Sequence, residues 1–251
     1  MSWTLADRVA AALTRRLPVK PAPVRFEHPV ASLSFDDFPR SAWSVGGPIL
    51  ARWGCRATYY AAGRYCGISE DGIDYYDRDD LRAVAAAGHE IGCHSFGHLH
   101  GTKTGSAMLE ADMDANARFL AEALGDSRTA SFAYPYGEAS PRTKAMAARR
   151  FATARGIYPG VNRGWTDLSQ LKAAPLEARS WSAAAVEALV EDARSNGGWL
   201  IFFSHDVSDT PSPYGATPAM LEHALKTLAA AGIATLPVKH ALAAGTFREA
   251  A

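Results

Sequence analysis

The chain has 251 residues, 48% of them hydrophobic and 21% charged, with 26 Lys+Arg balancing 26 Asp+Glu to a formal net charge of zero. Such proportions describe an ordinary globular chain and exclude a disordered polyelectrolyte, and a neutral charge speaks against nucleic acid as the partner. No window approaches the ~18 apolar residues of a membrane span, and Cys55, Cys66 and Cys93 form neither a C-x-x-C pair nor a disulfide framework.

Residues 1–17 place Leu5, Val9, Leu13 and Leu17 at helical spacing, while Asp7 and Arg8 interrupt any apolar stretch of signal-peptide length. The segment reads as an amphipathic helix without an export signal, and a cytoplasmic setting is expected. A Pro-rich connector, 18–23, follows. It divides an N-terminal helix and connector, 1–23, from one catalytic unit, 24–251, in which no composition shift or repeat marks a second domain.

From there short apolar runs alternate with helical stretches, the signature of β/α units on a mainly parallel sheet. Strands are expected at 30–35, 57–61, 89–93, 131–134, 151–154, 176–179, 199–203 and 233–236. The fold class is therefore α/β, with seven or eight mainly parallel strands in a barrel. Between them, Asp79 is expected to cap a helix ending at Gly88, and Ser106 to open one that runs to Gly125. Ser140-Pro141 and Thr217-Pro218 each set a capping hydroxyl before a first-turn proline, and Gly197 and Gly232 close later helices.

Polar residues cluster where the apolar runs end, and in a parallel barrel those C-terminal strand ends share one face. Asp36-Asp37, His94 with His98, Tyr134-Pro135-Tyr136-Gly137 and Ser204-His205-Asp206 all fall at such ends. Adjacent carboxylates leave an extended strand in different directions, so one can ligate while the other takes a proton. His94 and His98, four apart, can reach one ion, and two imidazoles plus one carboxylate leave positions open in a zinc site. His89 lies earlier in its strand and Cys93 faces opposite His94; His100 stays as a competing ligand. His205, from a distant part of the chain, suits a general acid.

These residues resemble the polysaccharide deacetylase, or NodB-homology, family of carbohydrate esterases over residues 31–243. Ser34-Phe35-Asp36-Asp37 is similar to the family's Thr-Phe-Asp-Asp-Gly motif, and His94-Ser95-Phe96-Gly97-His98 to His-Ser/Thr-x-x-His. Tyr134-Pro135-Tyr136 is similar to the end of Arg-x-Pro-Tyr, and Phe203-Ser204-His205 to the last motif. The resemblance implies a distorted β/α barrel and removal of N-acetyl groups from an N-acetylated polysaccharide or oligosaccharide. Asp37, His94 and His98 would hold a divalent metal, zinc, with Asp36 as general base and His205 as general acid. The backbone N–H of Tyr136 would help hold the oxyanion. Two alternatives stay open: the same chemistry on a small non-carbohydrate N-acyl compound, and a catalytically silent carbohydrate-binding domain.

The chain departs from the family pattern at three points. The motif arginine falls at Ala133, and Arg155, with Arg163 as second choice, is expected to replace it. Phe38 stands where the family has Gly, which is expected to narrow the pocket. The aspartate partner of the acidic histidine has no counterpart in 155–165, which leaves Asp206, Asp167 or Asp209. Trp165, Tyr136, Phe96 and Tyr214 are candidates to stack on a sugar ring. The expected partner is N-acetylated carbohydrate, with no nucleic acid and no membrane, and the oligomeric state is left open.

Overall fold

The computed structural model describes residues 14–125 and 129–245. Most of the expected N-terminal helix, residues 1–13, lies outside the described residues.

Seven strands form the main path of the sheet, in the order Ala174–Pro175, Trp199–Ser204, Val30–Asp36, Thr58–Ala61, Glu90–Cys93, Ser131–Ala133 and Thr153–Arg155. Every neighbouring pair on that path is parallel. Helices Arg78–Ala86, Ser106–Leu124, Pro141–Arg150, Ala183–Asn196 and Pro218–Ala230 intervene along the chain. Parallel neighbours need such crossovers. Two short strands complete the sheet: Ala234–Thr235 runs parallel to Val30–Ala31, and Val161–Asn162 runs antiparallel to Trp199–Leu200. The curled sheet comes close to meeting itself, because Arg155 bridges to Leu171 just before the first strand of the path. The result is a distorted, mainly parallel half-barrel.

The two faces of each strand separate two environments. Outward positions Leu33, Phe35, Tyr59, Ile91, Leu200 and Phe202 are buried in an apolar layer shared with the helices. Inward positions are more polar: Trp199 Nε1 donates to Ser32 Oγ at 2.9 Å, and the buried Glu90 accepts from Ser131 at 2.7 Å and Thr58 at 2.8 Å. A buried carboxylate is tolerable only when satisfied in this way. At the C-terminal ends the inward alternation continues to Asp36, His94, Arg155 and His205.

Seven of the eight expected strands occur. Residues 176–179 were expected as a strand; pairing instead involves Ala174–Pro175, and Ala178–Ser180 forms a 3-10 turn. Pro175 explains the shift, since proline at a strand end disguises the ladder that precedes it. The connector 18–23 also differs: Pro21–Val24 pairs antiparallel with Gly164–Asp167. A two-stranded edge ribbon tolerates residues without an N–H. The cap of the Arg78–Ala86 helix is Asp77 rather than Asp79, with a reciprocal bond to Asp80. Ser140 and Thr217 cap their helices as their sequence predicts.

Candidate metal centre

Asp37 directly follows the Val30–Asp36 strand, and His94 directly follows Glu90–Cys93. Asp37 Oδ1 lies 3.4 Å from His94 Nε2 and 3.2 Å from His98 Nε2. Among the described residues this trio is the one group of His, Cys, Asp or Glu that could hold an ion, its ligand atoms all within 4.8 Å of one another. Sharp turns deliver the side chains. Asp37, Phe38, Ser95, His98 and Tyr136 all adopt φ between 52° and 61°, and Asp71 is the other non-glycine with positive φ among the described residues.

The donors fit a divalent metal. His94 Nδ1 faces the Ala133 carbonyl at 2.9 Å and must donate to it, which leaves the Nε2 lone pair to the cluster. Burial holds the His98 imidazole down to about 2, hence uncharged, as a ligand must be. Asp37 Oδ1 is buried without a hydrogen-bond partner among the described residues, and burial raises its carboxyl above the ordinary value. A cation at this point would satisfy the orphaned oxygen and reverse that shift. Two imidazole nitrogens and one carboxylate suit a borderline ion such as zinc.

The competing ligands are occupied elsewhere. Cys93 turns outward to Asn116, whose Nδ2 reaches its Sγ at 3.2 Å, and burial pushes the thiol up to about 11. His89 Nδ1 accepts from the Ala57 N–H at 2.9 Å near the opposite end of the strand. His100 bonds Glu138 at 3.1 Å.

Asp36 and Arg155 form a buried ion pair, the two residues being 4% and 1% exposed. Burial alone would raise the Asp36 carboxyl, but Arg155, His94 and His205 outweigh it and hold the group below its ordinary value. The guanidinium lies between the rings of Tyr60 and Phe203, 5.1 and 4.9 Å from their centroids, and Nη1 donates to the Gly156 carbonyl at 2.9 Å. Arg163 is not in the site; it pairs with Asp192 on the Ala183–Asn196 helix. Phe38 does not narrow the site either. Its ring turns into the core, 4.8 Å from both Tyr59 and Tyr76.

His205 Nε2 lies 3.9 Å from Asp37 Oδ2. Its Nδ1 meets a backbone carbonyl, that of Tyr214, at 3.3 Å. None of the three aspartates expected there takes that role: Asp206 bonds Ser212, Asp167 pairs with Lys144, and Asp209 is exposed.

The four aromatics separate into two groups. Tyr136, 48% exposed, lies 4.4 Å from the His98 ring and stacks on His100 at 3.8 Å, and Tyr214 lies 5.7 Å from His205. Phe96 instead packs on Phe119, its ring filling the space that a side chain at Gly63 would occupy. Trp165 is at the wrong end. Asn162, three residues before it, pairs with Trp199 at the start of the Trp199–Ser204 strand, whereas His205 follows that strand's last residue, about 20 Å from Trp199. Tyr65 and Arg64 were missed: the Tyr65 ring lies 5.6 Å from His98, and the Arg64 guanidinium covers Tyr65 at 4.7 Å. They follow the Thr58–Ala61 strand, so the strand-end rule that found the other residues would have found them too.

Solved structures with this fold include an acetyl xylan esterase of family 4 from Clostridium thermocellum, in complex with cobalt. It shares 19% identity over 85% of this chain and 90% of its own, with a TM-score of 0.59. The Bc1960 peptidoglycan N-acetylglucosamine deacetylase shares 16% over 88% and 90%, at a TM-score of 0.62. BA3943, a CE4 family pseudoenzyme from Bacillus anthracis, shares 13% over 88% and 68%, at a TM-score of 0.56. Identities this low establish the fold alone. A search of curated proteins finds no match. The polysaccharide deacetylase family model matches residues 24–153, just over half of the chain, a stretch that holds the trio and Asp36. The chain belongs to the polysaccharide deacetylase family, whose members include metal-dependent carbohydrate deacetylases and also pseudoenzymes.

Proposed function

We propose that this protein hydrolyses the N-acetyl groups of an N-acetylated polysaccharide or oligosaccharide, with Asp37, His94 and His98 holding zinc. The observation that carries the reading is the placement of the trio, the Arg155-paired Asp36 and His205 together at one end of the sheet. A divalent ion there would polarise the acetyl carbonyl and acidify water at neutral pH. Asp36, kept ionised by Arg155, takes the proton of the attacking water as general base. Arg155 fixes the direction of that carboxylate and has no substrate contact to make. His205, as an imidazolium with Nδ1–H toward the Tyr214 carbonyl and Nε2–H toward the trio, gives its Nε2 proton to the departing amine and is left neutral. The Tyr136 N–H shares the oxyanion, and the half-exposed rings of Tyr136 and Tyr214 offer a sugar the faces that His100 and Arg179 leave uncovered.

A silent binding domain has one specific observation in its favour, since a pseudoenzyme shares the fold. The intact acid, base and ligand set supports the hydrolase. The test is acetate release from N-acetylglucosamine oligomers, O-acetylated xylan and small N-acetyl amides, each with added zinc and after chelation. Zinc-dependent release, fastest from the acetamido sugars, is expected. Faster release from the small amides would reassign the substrate, and oligomer binding with no release would make the domain a silent one.

A further inference from the structure

His205 differs from the other site residues in what holds it. A histidine that accepts and then delivers a proton at Nε2 must keep its other proton on Nδ1 throughout, and here the acceptor that holds Nδ1–H is a loop carbonyl. Facing the Tyr214 oxygen at 3.3 Å, Nδ1 must be a donor, which leaves Nε2 toward Asp37. The precision of His205 is therefore no better than the precision of Tyr214.

The loop around Tyr214 is fastened on two sides. From within, Asp206 accepts from the Ser212 N–H at 2.8 Å and from its hydroxyl, and a side chain at Gly215 would strike that carboxylate. From outside, Ala178 N–H bonds the Gly215 carbonyl at 2.7 Å and Arg179 N–H the Pro213 carbonyl at 3.1 Å. The Arg179 guanidinium then lies 4.1 Å over the Tyr214 ring, while its Nε donates to Glu177 Oε2 at 2.7 Å. Glu177 is 1% exposed, and its other carboxylate oxygen is buried without a hydrogen-bond partner among the described residues. A buried carboxylate whose one bond goes to Arg179 holds that cation firmly, because releasing it would strand the charge. The chain of contacts is thus Glu177, Arg179, Tyr214, His205.

We infer that Arg179, anchored by Glu177, is a positioning residue for His205, acting through the Tyr214 backbone carbonyl. The inference rests on the proposed role of His205 as general acid, and it makes a chemical distinction. Loss of acid positioning slows departure of an amine, which must be protonated, and spares 4-nitrophenolate, which leaves without a proton.

The experiment compares zinc-loaded wild type, Arg179→Met, Arg179→Lys and His205→Ala on an N-acetylglucosamine pentamer and on 4-nitrophenyl acetate. In Arg179→Met, kcat on the pentamer should fall about tenfold, a fraction of the ~100-fold or greater loss expected for His205→Ala. KM and the ester rate should stay within about twofold, and Arg179→Lys should recover part of the loss by keeping a cation over the ring. Equal loss on both substrates, or a change confined to KM, overturns the inference. A second measurement stands apart from turnover: ¹⁵N NMR should find His205 as the Nδ1–H tautomer in the wild type and a mixture in Arg179→Met. A wild-type Nε2–H tautomer, or a variant spectrum identical to the wild type, also overturns it. A wild type with that tautomer but no acetate release from any acetamide would contradict the proposed function while leaving the positioning of His205 supported.

Discussion

At Asp37 and Phe38 two consecutive residues with side chains hold a backbone conformation that glycine adopts freely, at φ of 61° and 55°. Each such residue costs about 1–2 kcal/mol, and strain of this kind persists where surrounding packing over-determines it. The Phe38 ring, stacked on Tyr76 and packed at a tilt against Tyr59, supplies that packing. Phe38→Gly would relieve the backbone yet remove a fully buried ring, a loss of about 3–5 kcal/mol. The packing term is the larger, so the variant is expected to be less stable by roughly 1–4 kcal/mol in urea unfolding, the difference of those two terms. Equal or greater stability would show that the strain dominates. Arg155→Met strands the Asp36 charge and should cost about 3–5 kcal/mol as well as most of kcat. Arg155→Lys, which keeps the charge and loses the fork, should fall between it and the wild type; urea midpoints and acetate-release rates check both. The trio and Asp36 were legible because motif spacing and strand alternation act locally. The partner of His205 was not, since a backbone carbonyl belongs to every residue and carries no sequence signal.

Among the elements, the helix starts were the most legible, because a cap is a contact within four residues of chain: Ser140 and Thr217 both accept from the third helical N–H. The tie between Lys144 and Asp167 had no such local signature. The Lys144 side chain is 0% exposed, pairs with Asp167 at 2.7 Å and donates to the Thr14 and Leu17 carbonyls, joining the Pro141–Arg150 helix to the start of the described chain. Burial would raise the Asp167 carboxyl, but Lys144, Ser169 and the Lys20 N–H together hold it below its ordinary value. A carboxyl lowered in the folded state contributes stability above its unfolded value of about 3.9, and that contribution is lost as pH falls through the folded value. Asp167→Asn should therefore cost about 3 kcal/mol at pH 7, where Lys144 is left buried and uncompensated. Wild type and variant should converge as the pH drops below about 4. Urea unfolding at a series of pH values checks this, and a constant difference down to pH 2 would contradict it.

For the molecule as a whole, alternating strands and helices announced the parallel sheet, and the four residues that the strand-end rule named, Asp36, Asp37, His94 and His205, lie together at one end of it. Trp165 and Arg163 went astray because nearness in sequence to a strand end does not say which end of the barrel a return loop visits; here the chain runs back to pair with Trp199. The central claim is that one ion, held by Asp37, His94 and His98, makes this site a deacetylase. Titrating zinc into metal-free protein while following acetate release from N-acetylglucosamine oligomers tests it most directly. Activity should rise from zero and saturate at about one equivalent per chain, with His98→Ala, a ligand lost, flat throughout at the same concentrations. Full activity before any zinc is added, or an undiminished His98→Ala titration, would contradict it.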